Sequence, residues 1–504
     1  MTDTLAPIAP GKLIINGEAV DAASGRTFTT INPATEAPIT TVAEAGPEDV
    51  DRAVRAARAA FESGPWPKMK PADRQRVLWK LGDLILEHGD ELARLETLDN
   101  GKPIFESRQI DVPMVANCFH YFSGWATKLS GETLPVNPAF FTYTLREPLG
   151  VIGAIIPWNF PMIMVGWKCA PALATGNTVV LKPAELTPLT AIRIAELALE
   201  AGLPPGVLNV LPGKGSIAGE ALVQHPGVDK ITFTGSTEVG KHIMRQCADS
   251  MKKVTLELGG KSPNIVFADA DMEAALRGAT SGIFYGKGEV CAAGSRLLVE
   301  AKVHDEFVAK LAERANKNVP ADPLNPKTRL GALVSETQMN RVLGYVKSGV
   351  AEGAKLVAGG QRAPVDGKGW FVQATVLDGV DNAMRVAQEE IFGPVLSVIR
   401  FENEDDAVKK GNDVIYGLAA GVWTRDVKKA HAVARRLQAG TVWVNAYNFF
   451  DAGMPFGGYK SSGFGRDLGP DCLREYTQVK TATSARLLAV GSPLSMHGLP
   501  NRRR

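Results

Sequence analysis

Cys291 stands in FYGKGEVCAAGSR, residues 284–296, among glycines and alanines small enough to let a substrate reach its sulfur. A thiol so placed can add to an electrophilic carbon, although a lone cysteine in a long chain is more often a small core hydrophobe. Asn159 lies in IPWNFP (156–161), where Pro157 and Pro161 fix the backbone on either side. A fixed amide can donate to a developing oxyanion; an asparagine that only makes a turn would look the same. Glu257 lies in LELGGK (256–261) between two leucines. Apolar flanks raise a carboxyl pKa and suit it to act as a base near neutral pH, unless it simply pairs with Lys261.

Other stretches suit a nucleotide. LKPAE (181–185) offers Lys182 as a donor and Glu185 as an acceptor for ribose hydroxyls, or else a surface ion pair. An acid there repels a 2′-phosphate, which favours NAD over NADP. FTGSTEVG (233–240) puts Gly235 and Ser236 at the start of a helix, where free amides can meet a pyrophosphate. It is not GxGxxG, so a dinucleotide site of the common Rossmann kind is not supported.

These residues need a frame to bring them together. Between 149 and 260, apolar strands at 151–156, 178–182, 207–211, 229–234 and 252–258 alternate with helices at 162–174, 187–201, 216–225 and 236–248. That alternation implies right-handed crossovers and a parallel sheet, with ligands at the carboxyl ends of its strands. A second alternating stretch gives strands at 264–267, 296–300, 354–358, 371–376, 395–400, 418–423 and 441–445, and helices at 272–284, 303–316, 336–351, 404–412 and 426–438. The fold class is therefore α/β with two parallel-sheet domains. Before them come a hairpin around Asn16-Gly17, a helix over 47–63, one or two helices over 71–99 and an aromatic-rich helix over 109–130. Residues 134–148 form an extended arm, and the turn-rich end after about 485 is a flexible tail.

With 504 residues the chain exceeds one hydrophobic core. Its 56 basic and 54 acidic residues nearly balance, which gives no support for nucleic-acid or membrane-surface binding. Five widely spaced cysteines without a CxxC argue against a disulfide framework or a zinc site, so no metal is expected. The N-terminal residues signal neither secretion nor import, and a cytoplasmic location is expected.

Taken in order, IPWNFP, LKPAE, FTGSTEVG, LELGGKSP (256–263), GEVCAAGSR (288–296), EEIFGPV (389–395) and PFGGYKSSGFGR (455–466) resemble the NAD(P)-dependent aldehyde dehydrogenase superfamily, in its broad-specificity non-acylating branch. The resemblance spans roughly residues 12–485. It implies an NAD-binding domain from 1–130 and 149–259, a catalytic domain over 260–470 and an oligomerisation arm from 131–148 and 471–490, with a tail over 491–504. It implies a homodimer or homotetramer.

The resemblance also implies roles. Cys291 would be the nucleophile, Glu257 the general base, Asn159 the oxyanion donor and Lys168 a supporting charge or proton relay. Ile156, Trp158, Lys182, Glu185, Gly215, Gly235, Ser236, Leu258, Glu390 and Phe392 would contact the dinucleotide. Phe160, Met164, Trp167, Tyr285, Val290, Phe450 and Phe456 would line the aldehyde tunnel. Two positions depart from the family pattern: Gly286 stands where Asn is frequent, and Glu289 where Gln is frequent. An acid near the thiol would disfavour the thiolate, unless it turns away.

The activity so implied is oxidation of an aliphatic or aromatic aldehyde to its acid with NAD+, through a Cys291 thiohemiacetal and a thioester hydrolysed by Glu257-activated water. No arginine stands at an evident tunnel position, which argues against carboxylate-bearing semialdehydes. Betaine aldehyde is the alternative, since aromatic cages hold quaternary ammonium groups. A cysteine hydrolase would need a histidine beside the thiol, and an idle scaffold protein would lack the thiol or the base.

Overall fold

A computed structural model describes residues 8–485. The tail expected over 491–504 lies outside the described residues. The strands Leu208–Val210, Thr178–Lys182, Val151–Ile155, Lys230–Thr234 and Lys253–Glu257 lie side by side in that spatial order, all parallel. The first in sequence, Val151–Ile155, is central. The next two extend the sheet to one side and the last two to the other. The order therefore reverses between Val151–Ile155 and Lys230–Thr234, and the crevice beyond their carboxyl ends is where open α/β sheets bind ligands. IPWNFP and TGST emerge there.

Both edges of this sheet are closed by antiparallel strands. Leu13–Ile15, from the Asn16-Gly17 hairpin, pairs with Leu208–Val210 at one edge. Asn16 and Gly17 both have positive φ, as a two-residue hairpin turn requires. Gly463–Phe464 pairs with Lys253–Glu257 at the other edge. This second pairing joins a segment from the expected catalytic region to the first sheet. It was not evident from sequence, because a two-residue strand has no periodicity to read.

The second sheet has seven strands in the order Lys355–Ala358, Thr375–Asp378, Val395–Phe401, Arg296–Glu300, Pro263–Val266, Ala419–Trp423 and Thr441–Val444. All neighbours are parallel except the first pair. Only Leu258–Ser262 separate the carboxyl end of Lys253–Glu257 from the start of Pro263–Val266. The carboxyl edge of the first sheet therefore meets the amino edge of the second. Cys291 precedes Arg296–Glu300, so it is not at a strand's carboxyl end, where the sequence had suggested it; it reaches the crevice from the facing sheet's amino edge.

The helix Pro161–Ala174 is buried along its whole length. An apolar surface all round marks a helix enclosed by protein. Lys168 is its one charged residue. Three sequence boundaries shift. The strand expected over 371–376 is Thr375–Asp378, because Val372 makes only an isolated bridge with Arg362 before the chain turns into the ladder. The helix over 216–225 opens as a wide π turn, Gly215–Gly219, before Glu220–Gln224. The helix over 109–130 begins earlier and ends earlier, with Ile104–Glu106, a π turn Ser107–Asp111 and then Val112–Ser123.

Residues Phe140–Pro148 form a long strand paired with Thr477–Ala485 over nine residue pairs and with Thr133–Leu134. This three-stranded sheet leaves Phe140, Phe141, Tyr143, Leu145 and Val479 exposed. No described helix is long and apolar enough to cross a membrane.

Candidate active site

Asn159 follows the central strand and precedes Pro161, the first residue of the buried helix. Its side chain is buried, and Nδ2 donates to the Glu289 carbonyl at 2.9 Å, two residues before Cys291. One amide proton is used in that bond, and the other remains for a ligand. The turn that carries the thiol is tightly built. Gly286 and Lys287 both adopt left-handed φ, 55° and 61°. The Gly286 N–H faces the Glu106 carboxylate at 3.2 and 3.3 Å. A Cβ on Gly260 would fall 2.2 Å from the Cys291 carbonyl oxygen, so the ELGG segment can run against the Cys291 backbone only as glycine. Cys291 itself is half-buried. Burial, and after it the Glu390 and Glu257 carboxylates, push its thiol up to about 12.

Glu289 does not point its charge at that sulfur. Its carboxylate pairs with Lys287 Nζ at 2.8 Å and accepts from the Val334 N–H at 3.1 Å. The acid that departs from the family pattern is thus turned away from the thiol, and the carboxylates that bear on Cys291 are Glu390 and Glu257.

Glu257 is buried, and neither carboxylate oxygen has a hydrogen-bond partner among the described residues. Burial raises its pKa well above 4.5, and Asp467 adds to the rise, against Lys168 and Arg466. The pairing with Lys261 that sequence left open does not form; Lys261 Nζ has no hydrogen-bond partner either. A Cβ on Gly457 would come within 2.7 Å of Glu257 Oε1, so a glycine leaves the carboxylate its space. Lys168 Nζ pairs with Asp467 Oδ2 at 2.7 Å, both fully enclosed. Asp467 is held in turn by backbone bonds to Phe456 in both directions.

On the other side of the crevice, Lys182 is buried and its ammonium approaches Glu185 Oε2 at 3.4 Å, while Glu185 stays partly exposed. They are adjacent, as either sequence reading required. Ser236 caps the helix Thr237–Ala248, its hydroxyl accepting from the Val239 N–H at 3.3 Å, and Gly235 N–H bonds to the Glu257 carbonyl. The Cβ that Gly215 lacks would meet no atom within 4 Å, which leaves open space beside the Gly215–Gly219 turn. Ile156 and Leu258 are buried along the walls. Glu390 Oε1 accepts from the Gly260 N–H at 2.9 Å, and burial raises its carboxyl to about 7. Phe392, with φ of 60°, sets its ring edge-on to Trp158 at 5.2 Å. Donor and acceptor at one strand end, a helix start at another and open space near by fit a dinucleotide.

The expected tunnel residues cluster around the buried helix. Phe160 stacks on Tyr285 at 5.9 Å. Trp167, Phe450 and Phe456 form a mutual contact with centroids 5.3 to 6.0 Å apart. Met164, on the buried helix, and Val290, next to Cys291 on the thiol-bearing turn, are both buried. Phe450 and Tyr285 are only partly buried.

The model of the aldehyde dehydrogenase family matches residues 19–482. The chain belongs to the aldehyde dehydrogenase family. It is 53% identical over 470 residues to the Bacillus subtilis aldehyde dehydrogenase DhaS, covering 93% of this chain and 94% of that protein. Among solved structures, the NAD+ complex of the Bacillus cereus aldehyde dehydrogenase superposes with a TM-score of 0.93 at 50% identity, covering 95% and 97% of the two chains. An indole-3-acetaldehyde dehydrogenase with NAD+ superposes with a TM-score of 0.93 at 49% identity, covering 94% and 97%. This protein is an NAD-dependent aldehyde dehydrogenase acting on a small-molecule aldehyde.

In this aldehyde dehydrogenase the structure adds residues that sequence reasoning had not named. Asp467, Asn100 and Lys287 all bond to the segments carrying the assigned groups. Asp467 sits just past GFGR, in a stretch with no period. Only its place beside a glycine-rich motif signalled it. Asn100 ends a helix and reads as an ordinary helix terminus. His225, His242 and His304 pair with Asp51, Glu220, and Asp305 and Asp378 respectively, and none of these pairs includes Cys291. The hydrolase alternative therefore finds no base in them.

Proposed function

We propose that this aldehyde dehydrogenase oxidises bulky apolar aldehydes, aliphatic or aromatic, through a thioester on Cys291. The observation that carries the reading is the meeting of three groups: the Asn159 amide at the thiol-bearing turn, the half-buried sulfur, and a buried Glu257 carboxylate with both oxygens free. A thiol pushed up to about 12 is protonated at neutral pH, so the S–C bond forms as the thiol proton leaves to solvent at the half-buried sulfur. The carbonyl oxygen becomes an oxyanion, held by the free Asn159 N–H and the Cys291 backbone N–H. NAD+, when bound, supplies the hydride acceptor. Lys182, Glu185 and Ser236 orient it from the first sheet, and Glu390 and Phe392 from the second. Glu185 disfavours a 2′-phosphate and hence NADP. Glu257 then takes a proton from water, which opens the thioester and releases the acid. The Lys168–Asp467 pair beside it offers the proton a way onward.

The wall of Phe160, Trp167, Phe450 and Phe456 supports the apolar substrate class, and the likeness to an indole-3-acetaldehyde dehydrogenase supports arylacetaldehydes within it. The exposed apolar residues of the Phe140–Pro148 strand support an oligomerising role for the three-stranded sheet, in a homodimer or homotetramer. Five free cysteines are compatible with a cytoplasmic setting. The test of substrate class is kcat/KM for acetaldehyde, hexanal, benzaldehyde, phenylacetaldehyde, betaine aldehyde and succinate semialdehyde. Hexanal and phenylacetaldehyde should lead. Preference for succinate semialdehyde would refute the apolar tunnel, and preference for betaine aldehyde would make the aromatic wall a cation cage.

A further inference from the structure

Lys287 is a lysine in an unusual place. It carries a left-handed backbone, φ 61°, on a residue with a long side chain, and that side chain is almost wholly buried. A non-glycine residue in this region persists only where its surroundings over-determine it. Here they do. The Lys287 ammonium donates to the Asn100 main-chain carbonyl and to Asn100 Oδ1, both at 2.8 Å, and pairs with Glu289 Oε2 at 2.8 Å. Asn100 thus accepts two of its protons, and Glu289 supplies the opposing charge.

Those partners close a ring. Asn100 Nδ2 donates to the Trp158 carbonyl at 2.8 Å, the peptide that joins Trp158 to Asn159. Asn159 Nδ2 donates to the Glu289 carbonyl at 2.9 Å. Glu289 returns through its carboxylate to Lys287. The circuit therefore links the segment bearing the amide donor to the turn bearing the nucleophile twice, directly through Asn159 Nδ2 and the Glu289 carbonyl, and indirectly through Asn100 and Lys287. Each bond fixes a direction as well as a distance. The Asn100 amide must keep its oxygen towards the lysine for its nitrogen to reach Trp158.

We propose that Lys287 is a positioning residue for the oxyanion site, its buried ammonium locking the Asn159 amide and the Cys291 turn into one frame through Asn100 and Glu289. This rests on the reading of Asn159 as oxyanion donor. Without the cation, Glu289 keeps an uncompensated buried charge, Asn100 is free to rotate, and the Asn159 amide loses the backbone reference that aims it. Misplacement of an oxyanion donor weakens binding of the transition state more than of the substrate.

The experiment compares Lys287→Met, Lys287→Gln, Asn159→Ala and the double variant Asn159→Ala/Lys287→Met in the full-length enzyme. It reads kcat per titrated Cys291 thiol, KM for phenylacetaldehyde, NAD+ affinity and Tm. Lys287→Met should lower kcat per thiol about 10- to 100-fold with KM and NAD+ affinity unchanged. Lys287→Gln, which keeps a donor towards Asn100, should recover part of that loss. The double variant should be no slower than Asn159→Ala alone, because Lys287 acts through that amide. Full additivity, or an unchanged kcat per thiol, overturns the proposal. If Asn159→Ala alone costs nothing, it is the oxyanion assignment that fails. Should Lys287→Met not fold, Asn100→Asp keeps acceptors for the lysine and removes the donor to Trp158. It should show the same kcat loss, and an unchanged kcat there overturns the ring.

Discussion

The roles proposed for Glu257 and Asn159 rest on opposite features. Asn159 is committed, one proton to the Glu289 carbonyl and one free; Glu257 is uncommitted, with two bare oxygens in a dry setting. Asn159→Ala should lower kcat by about 10²–10³, the usual cost of one oxyanion donor, while Cys291→Ala should abolish NADH production. Loss in Cys291→Ala with full activity in Asn159→Ala would remove the amide from the mechanism. As the proposed base Glu257 works ionised, and burial raises its pKa well above 4.5, so turnover should fall as pH is lowered. The same shift has a sign for stability. A carboxyl whose folded pKa is raised favours folding below its unfolded pKa, and that contribution is lost as pH rises towards the folded value. Glu257→Gln should therefore raise Tm relative to the parent at pH 8 and much less at pH 5, measured by calorimetry. An equal shift at both pH values would contradict the buried, unpaired carboxylate. Both residues were legible in sequence because their neighbours, prolines for one and leucines for the other, state the environment. Asp467 and Asn100 were not, since their function comes from what lies across the crevice.

At the scale of elements, the strand–helix alternation was readable because parallel strands buried on both faces are nearly continuous apolar runs. Short or irregular elements were not. Gly463–Phe464 and the π turns carry too few residues for a period, and the position of Cys291 at an amino edge depends on how two sheets face each other. The paired end of Thr178–Lys182 makes a prediction of its own. In the proposed cofactor site Glu185, partly exposed beside buried Lys182, would oppose a 2′-phosphate. Glu185→Ser should raise kcat/KM for NADP+ about tenfold, roughly 1.4 kcal/mol of relieved repulsion, with less change for NAD+. An unchanged NAD+/NADP+ ratio would place cofactor choice elsewhere.

For the whole molecule, the three-stranded sheet of Phe140–Pro148, Thr477–Ala485 and Thr133–Leu134 joins segments from both halves of the chain yet leaves aromatic residues bare. Bare aromatics on a long strand support the proposal that this face is an interface. Phe141→Asp with Leu145→Asp should shift the enzyme to a smaller species by light scattering; an unchanged mass would exclude this face. The covalent route can be trapped by removing the proposed base. Glu257→Gln enzyme is mixed with NAD+ and phenylacetaldehyde, quenched in acid and its intact mass taken while NADH is followed. One equivalent of NADH per site should form in the first turnover, with a phenylacetyl adduct on the Cys291 peptide and steady turnover lowered about 10²- to 10⁴-fold. Full steady turnover with no adduct would contradict the covalent route.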